Sequence, residues 1–515
     1  MRIRYFHSAL VAALVVAACS IVTATGASAA DGTMTWGVHV SLTPAFFDPA
    51  DATGTALPLM VYYGVHDALV RPMPGTPMGN ALAQSWSMSK DGLVYEFVLR
   101  RGVRFHNGDV MTAEDVKFSF ERYRGASAAL LKQKVAAVEI PDPTRVRFRL
   151  KEPWPDFMTF YATPATGAAW IVPKKYVEKV GDEGFKKQPV GAGPYRFVSF
   201  KPGVELVLEA HEGYWRKPPI IKTLVFKVIP DDATRLAALK RGEVAVAYGL
   251  TGPLAEEVRR TAGFTLKSAT IPVALYLVFT DQENAKSPWH DRRVRLAANL
   301  AIDRQAINQA SYLGLGRISA SFIPQALEFY WKPPPYPHDP KRARQLLAEA
   351  GYANGFDSGD LTSETFAGAG IGEPVVNDLG AVGIRLKLRL LERAAFLKQH
   401  SEKTLKHVVL AGSGAPGNAA TRLEQYAVTG GLYAYGGYPE VDGLFKAQAV
   451  EVNPRVRRQI LEKMQQIIHE RVMFAPILEY AYFVSIGPRV EYDAVNAIPA
   501  NPYTAPYEDL RLAKR

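Results

Sequence analysis

The alternation of apolar and polar residues along this chain is clearest between Leu82 and Arg122. Tyr95, Phe97 and Leu99 recur at every second position, which predicts a strand with one apolar face. Asp91-Gly92 turns the chain into it. Arg101-Gly102 then leads to Val103, Phe105 and His106, and Asn107-Gly108-Asp109 turns the chain again. Thr112 is placed as a helix N-cap, with Asp115 three residues on completing a capping box ahead of Val116, Phe118 and Phe120. The segment therefore reads strand, turn, strand, turn, helix, and it contains no catalytic constellation.

The same patterning organises the rest of the chain. Residues 135–140 and 144–150 form a predicted hairpin around Pro141-Asp142-Pro143. A helix is predicted over 57–69, and others over 231–241, 291–309, 339–350 and 453–471; Val294, Ala297, Ala298, Ala301 and Ile302 share one buried face. A strand is expected over 361–366. Over 384–391, Ile384, Leu386, Leu388 and Leu390 alternate with Arg385, Lys387 and Arg389, so one side is packed and the other wet. Two runs, 271–280 and 475–484, are nearly continuous apolar, as in strands covered on both sides. They are candidate crossings between two lobes. The glycines of Val190-Gly191-Ala192-Gly193-Pro194-Tyr195 permit a tight turn before a strand, and the motif lacks the lysine and Ser/Thr of a phosphate loop.

These motifs carry a resemblance. The run LAQSW, then SKDGLVYEFVLRRGVRFHNG, then TAEDV between Leu82 and Val116 resembles the signature of the family 5 extracellular solute-binding proteins, the dipeptide, oligopeptide and nickel group of bacterial ABC importers. VGAGPYRF (190–197), the Asp291–Ile307 run with its AIDR, the DP…EAGY helix at 339–352, and PEVDGL (439–444) are similar to further landmarks of that family. The resemblance implies an α/β fold of the type II periplasmic-binding-protein kind, with two lobes, a cleft between them and two hinge crossings. The larger lobe would comprise 31–270 plus 487–515, with an accessory subdomain over about 74–192. The second lobe, 271–486, would be inserted between the crossings. It further implies a monomeric receptor that captures a small organic or peptide-like solute and delivers it to a membrane permease and ATPase complex, without catalysis, cofactor, metal or nucleic acid. The alternatives are a periplasmic peptide-binding chaperone or chemosensory receptor on the same fold, or a secreted hydrolase, for which no nucleophile or paired-carboxylate motif is found.

Composition narrows this further. A chain of 515 residues with 48% hydrophobic and 22% charged residues is long enough for two or three domains. The net charge of +11 comes from Lys and Arg scattered along the whole chain, with no zinc-finger spacing or Arg-rich arm, which argues against nucleic-acid binding. The basic start, the apolar 9–22 and Ala27-Ser28-Ala29 predict a signal peptide over 1–29 and a periplasmic protein. Val16-Ala17-Ala18-Cys19 also resembles a lipoprotein processing site. Cys19 is the single cysteine, so no internal disulfide can form. The histidines show neither HxH nor HExxH spacing.

Ligand-binding candidates follow from where the chain departs from the family. Peptide-binding members carry an acidic residue in a GW…D-x-x-DP-like stretch that pairs with the ligand amine; here the matching residues 410–418 hold no tryptophan and no aspartate. Gly412, Ser413 and Asn418 are the candidates from that loop. Tyr433, Tyr435 and Tyr438 lie in a glycine-rich loop that offers flat surface and hydroxyls. Phe47 and Tyr63 are expected from the first lobe, and Trp331, Glu364 and Phe366 from the second.

Overall fold

A computed structural model describes residues 31–51, 57–162, 166–365, 370–414, 417–498 and 501–513. The expected signal peptide with Cys19, and the candidate Phe366, lie outside the described residues. The chain builds one long mixed sheet. From one edge its strands are Tyr195–Lys201, Glu205–Ala210, Ile221–Val228, Asp31–Val38, Val246–Tyr248, Phe474–Ile486, Thr265–Phe279, Val408–Gly412, Phe356–Glu364 and Ile384–Leu391, with Arg317–Ile318 paired beside Phe474–Ile486. Within each half the inner strands pair in parallel; the short ones at the middle of the sheet, Val246–Tyr248 and Val408–Gly412, are buried along nearly their whole length and read as apolar runs, whereas Ile221–Val228 and Phe356–Glu364 also carry exposed and half-buried positions.

The two halves are joined by the two predicted crossings, which pair with each other as a long antiparallel ribbon. The ladder holds through Thr270 opposite Ala481 and resumes at Ala274 opposite Glu479. Residues 271–273 thus stand opposite Tyr480 alone, a bulge containing Pro272, which has no N–H to give to a ladder. On the far side of this bulge the ribbon pairs with Val408–Gly412, and on the near side with Val246–Tyr248.

The segment that opened the sequence reading forms an accessory four-stranded antiparallel sheet, Ala83–Met88, Val94–Leu99, Arg145–Leu150 and Val135–Asp142, closed by the helix Ala113–Arg122. The capping box is present: the Asp115 carboxylate accepts from the Thr112 N–H at 2.8 Å and the Thr112 hydroxyl at 3.2 Å. His106 lies against the 190–195 turn. Its backbone N–H donates to Gly191 O and its Nε2–H to Gly193 O, each at 2.9 Å, while Gly193 N–H donates to Val65 O at 3.0 Å. A Cβ on Gly191 would sit 2.0 Å from Val65 O, and one on Gly193 2.3 Å from Gly64 O, so both glycines are required by close backbone approach. Burial lowers the His106 pKa to about 3, which keeps the ring neutral.

Five expectations are corrected. The second strand of the 82–122 segment is only a single bridge between Arg104 and Val110, and the helix over 291–309 is two, Arg292–Ala301 and Arg304–Tyr312, parted where Ile302 turns extended and Asp303 caps the second. The helix predicted over 57–69 is only Leu59–Val65; beyond it His66 turns extended to donate to Phe47 O at 2.9 Å, and Asp67 and Ala68 pair with Ile171 and Trp170. The strand predicted over 361–366 begins earlier, at Phe356, and ends at Glu364. The alternation over 384–391 persists only in part: Ile384 and Leu386 are buried and Leu388 is covered by Gly372, but Leu390, on this edge strand, is 44% exposed.

Candidate functional site

The hinge ribbon forms the floor of a cavity of about 680 Å³. Ser268, Ala269, Glu479, Tyr480 and Ala481 come from the ribbon, while Arg317, Gln325 and Ala326 approach from the second half and Asn496 and Ile498 from the chain's last segment. The volume falls within the range of small-molecule sites, roughly 300–1,000 Å³. Its position, bordered by segments from both halves of the sheet, is that of an interlobe cleft. A separate pocket beside Trp331, Tyr336 and His469 holds only about 20 Å³, room for little more than a water.

Two charges set the character of the cavity. Glu479 is 2% exposed and accepts from the Gln325 N–H at 2.8 Å and from Arg317 Nη1 at 3.1 Å. Burial raises its pKa, and the Gln325 amide and Arg317 oppose that rise. Arg317 is 47% exposed and sits on the short strand hydrogen-bonded to the ribbon. It makes one bond to Glu479 among the described contacts, and a guanidinium has five N–H donors. Asn496 Nδ2 donates to Ser268 O at 2.7 Å, tying the C-terminal segment to the floor. The Tyr480 hydroxyl is pushed up to about 12 by burial and secondly by the Glu364 carboxylate.

The predicted site residues fall into three groups. Gly412 and Ser413 reach the hinge. A Cβ on Gly412 would meet Val273 at 3.0 Å, and Ser413 exchanges bonds with Ala274, its N–H donating to Ala274 O at 2.9 Å and its Oγ accepting from Ala274 N at 3.1 Å. Glu364 ends its strand close enough to act on Tyr480, and pairs with Arg393 at 2.8 Å. A second group is committed to packing. Phe47 is buried edge-on to Phe197 and Phe200; Tyr63 is fully buried, its hydroxyl donating to Pro72 O at 2.8 Å. Both are core residues rather than ligand contacts: the helix 59–65 is buried throughout, and Phe47 is the buried residue of the single turn Pro44–Phe47. Tyr433 and Tyr435 stack on His400, Tyr433 also on Tyr426, and Tyr438 lies beneath the Arg471 guanidinium at 5.6 Å. Trp331 packs on His469. These tyrosines therefore cover the second-lobe core rather than line the cavity. The third group is Asn418 alone: it caps the helix Ala419–Tyr426 and reaches the accessory subdomain, donating to Asp156 Oδ1 at 2.8 Å.

Arg317, Glu479 and Asn496 were missed. Glu479 carried a legible signal, a lone carboxylate inside an apolar strand. Arg317 carried none, since its partner is 162 positions away.

Two lobes on one hinge ribbon with a polar cavity at the crossing define a type II periplasmic-binding-protein fold. Residues 78–433 match the family described as bacterial extracellular solute-binding proteins, family 5. The chain belongs to that family and is a substrate-binding component of an ABC import system, which places it outside the cytoplasmic membrane. It is similar to heme-binding protein A of Haemophilus influenzae, 29% identical over 83% of this chain and 84% of the relative. Glutathione-binding protein GsiB of Shigella dysenteriae is 28% identical over 90% and 92%. Among solved structures, HbpA2 of Haemophilus parasuis superposes with a TM-score of 0.79 at 24% identity, covering 94% of this chain and all of that one. DppA of Helicobacter pylori, in complex with the peptide STSA, gives 0.69 at 24% identity, covering 94% and 98%. Among the described residues no group of three or more His, Cys, Asp or Glu could hold a metal ion, and no helix is long and apolar enough to cross a membrane.

Proposed function

We propose that this chain captures a small carboxylate-bearing, amino-acid-derived solute in the hinge cavity and hands it to an importer's permease. The observation that carries this reading is Arg317, a half-exposed guanidinium with donors to spare at the rim of a cavity of about 680 Å³. A ligand carboxylate bound there gains charge-assisted hydrogen bonds, and Glu479 beside it favours a ligand that also carries an amine. The loop 410–418 lacks the carboxylate expected for anchoring a peptide amine, which moves the charge reading to the ribbon. Glutathione, for the similar GsiB, and the peptide STSA, for the similar DppA, belong to this chemical class. On this reading the larger lobe is 31–270 plus 487–515, with its accessory subdomain over about 74–192, and the second lobe is 271–486. Residues 1–29 serve as the export signal, and the receptor works as a monomer by binding alone.

The test is isothermal titration of the purified protein with glutathione, a dipeptide panel, an opine and hemin. At least one amino-acid-derived carboxylate should bind, and Arg317→Ala should weaken it by roughly 10- to 100-fold, the equivalent of about 1.5–3 kcal/mol for a hydrogen bond to a charged group. Binding of hemin alone, or binding indifferent to Arg317→Ala, would sink the reading.

A further inference from the structure

Asp156 precedes the short helix Phe157–Tyr161 of the accessory subdomain, at the position where an aspartate normally caps the helix with its own carboxylate. It makes no such bond. The carboxylate instead reaches into the other lobe: Oδ1 accepts from Asn418 Nδ2 at 2.8 Å and Oδ2 from Arg457 Nη2 at 2.5 Å. Both partners are held ready. Asn418 is fixed by its own cap, its Oδ1 accepting from the Ala420 and Thr421 N–H groups. Arg457 is oriented by Gln448 Oε1, which accepts from Nε at 3.0 Å and Nη2 at 2.9 Å, and its guanidinium lies 5.1 Å from the Phe329 ring centre. Asp156, Asn418, Gln448 and Arg457 are all buried. Nearby, Gly92 of the accessory sheet abuts Val452.

We infer that Asp156 is an interlobe latch: its pairing with Arg457 and Asn418 holds the accessory subdomain against the second lobe and sets the balance between closed and open receptor. The residues joined are 262 and 301 positions apart and belong to opposite sides of the hinge, so a rotation at the bulge must break both bonds. A buried pair that loses one partner leaves an uncompensated charge, but here opening lets Arg457 hydrate. Removing Asp156 therefore shifts the equilibrium toward the open form instead of unfolding the lobe. Apparent ligand affinity scales with the closed fraction, so the latch tunes capture and release without touching the solute. This inference rests on the two-lobed capture reading but on no particular ligand.

The experiment is accordingly ligand-free. Spin labels at Glu121→Cys and Lys446→Cys, in a Cys19→Ser background, report the interlobe distance by pulsed electron resonance. The otherwise unmodified labelled protein should show a dominant short distance. Asp156→Ala and Arg457→Gln should each move the distribution to longer distances, with at least a tenfold drop in the closed-to-open ratio, and the double variant should move it no further. The melting temperature should change little in Asp156→Ala. An unchanged distance distribution, or a lowered melting temperature with the distance unmoved, would assign Asp156 a local structural role and overturn the latch. Failure of the amino-acid-derived ligands to bind leaves this measurement intact, so the two readings fail separately.

Discussion

The turn at Gly191–Gly193 and the cavity over the hinge ribbon are built on opposite terms. At the turn, backbone touches backbone: a Cβ on either glycine would collide with a carbonyl oxygen of residues 64 or 65, and His106 satisfies both Gly191 O and Gly193 O. At the cavity, Arg317 is half exposed and the ladder is interrupted by a bulge. The first site leaves no freedom to sequence; the second leaves charges and space for a ligand to complete. A landmark is recognisable where geometry admits one residue, and specificity is found where it admits several.

Gly191→Ala should have the largest effect of any single change at the turn. The obstructing atom is the Val65 backbone oxygen, 2.0 Å from the added carbon, and it cannot rotate away as a side chain would. We expect a loss above about 3 kcal/mol, large against a typical total stability, and little folded protein on expression. Near-native melting of this variant would show the turn to be plastic.

Acid should act on the same region next. Burial lowers His106 to about 3 and His66 to about 4, against about 6.5 in an unfolded chain. Between those values the unfolded state takes up protons that the folded state refuses. Stability is therefore complete above about pH 6.5 and falls as pH drops toward 4, by up to about 1.4 kcal/mol per pH unit for each histidine. Urea unfolding from pH 7.5 to 4.5 checks the slope, and His106→Gln should flatten it. A slope equal to that of the parent protein would remove His106 from the account.

A smaller effect is expected at Thr112. Thr112→Ala removes the hydroxyl of the capping box on Ala113–Arg122 but leaves the Thr112 N–H bonded to Asp115, so the expected cost is about 1 kcal/mol, read as a shift in urea midpoint. A cost of several kcal/mol would mean that the hydroxyl has a further role.

Legibility followed the same division. The strand at 95–99, the hairpin at 135–150, the capping box, the cap at Asp291 and both crossing strands were local patterns, and each is present, whereas the strand expected at 103–106 is only a single bridge between Arg104 and Val110. The cavity was not legible, because its parts meet only in three dimensions. Arg317 and Glu479 are far apart in sequence, and the bulge in the ribbon is a register shift between two strands. The aromatic loop misled for a physical reason: Tyr433 and Tyr435 are as suited to stacking on His400 as to stacking on a ligand, and composition cannot tell an inward ring from an outward one. Asn418 was read as a ligand contact from its place in the 410–418 loop, but its amide is spent on its own helix and on Asp156.

The sharpest form of the comparison is a variant that separates stability from function. Arg317→Ala touches the cavity alone. Glu479 keeps the Gln325 N–H, and its raised pKa lets it take a proton in place of the lost partner. The ion pair itself is worth little to folding, because a guanidinium 47% exposed is screened by water. The change in unfolding free energy should thus stay within about 0.5 kcal/mol, the range of surface substitutions. That is the smallest stability effect expected here, in the residue expected to matter most for solute capture. Chemical unfolding of Arg317→Ala beside its titration with ligand checks both halves. A loss of stability comparable to that of Gly191→Ala would mean that Arg317 holds the hinge together, and the contrast between a site fixed by its own contacts and a site completed by its ligand would fail.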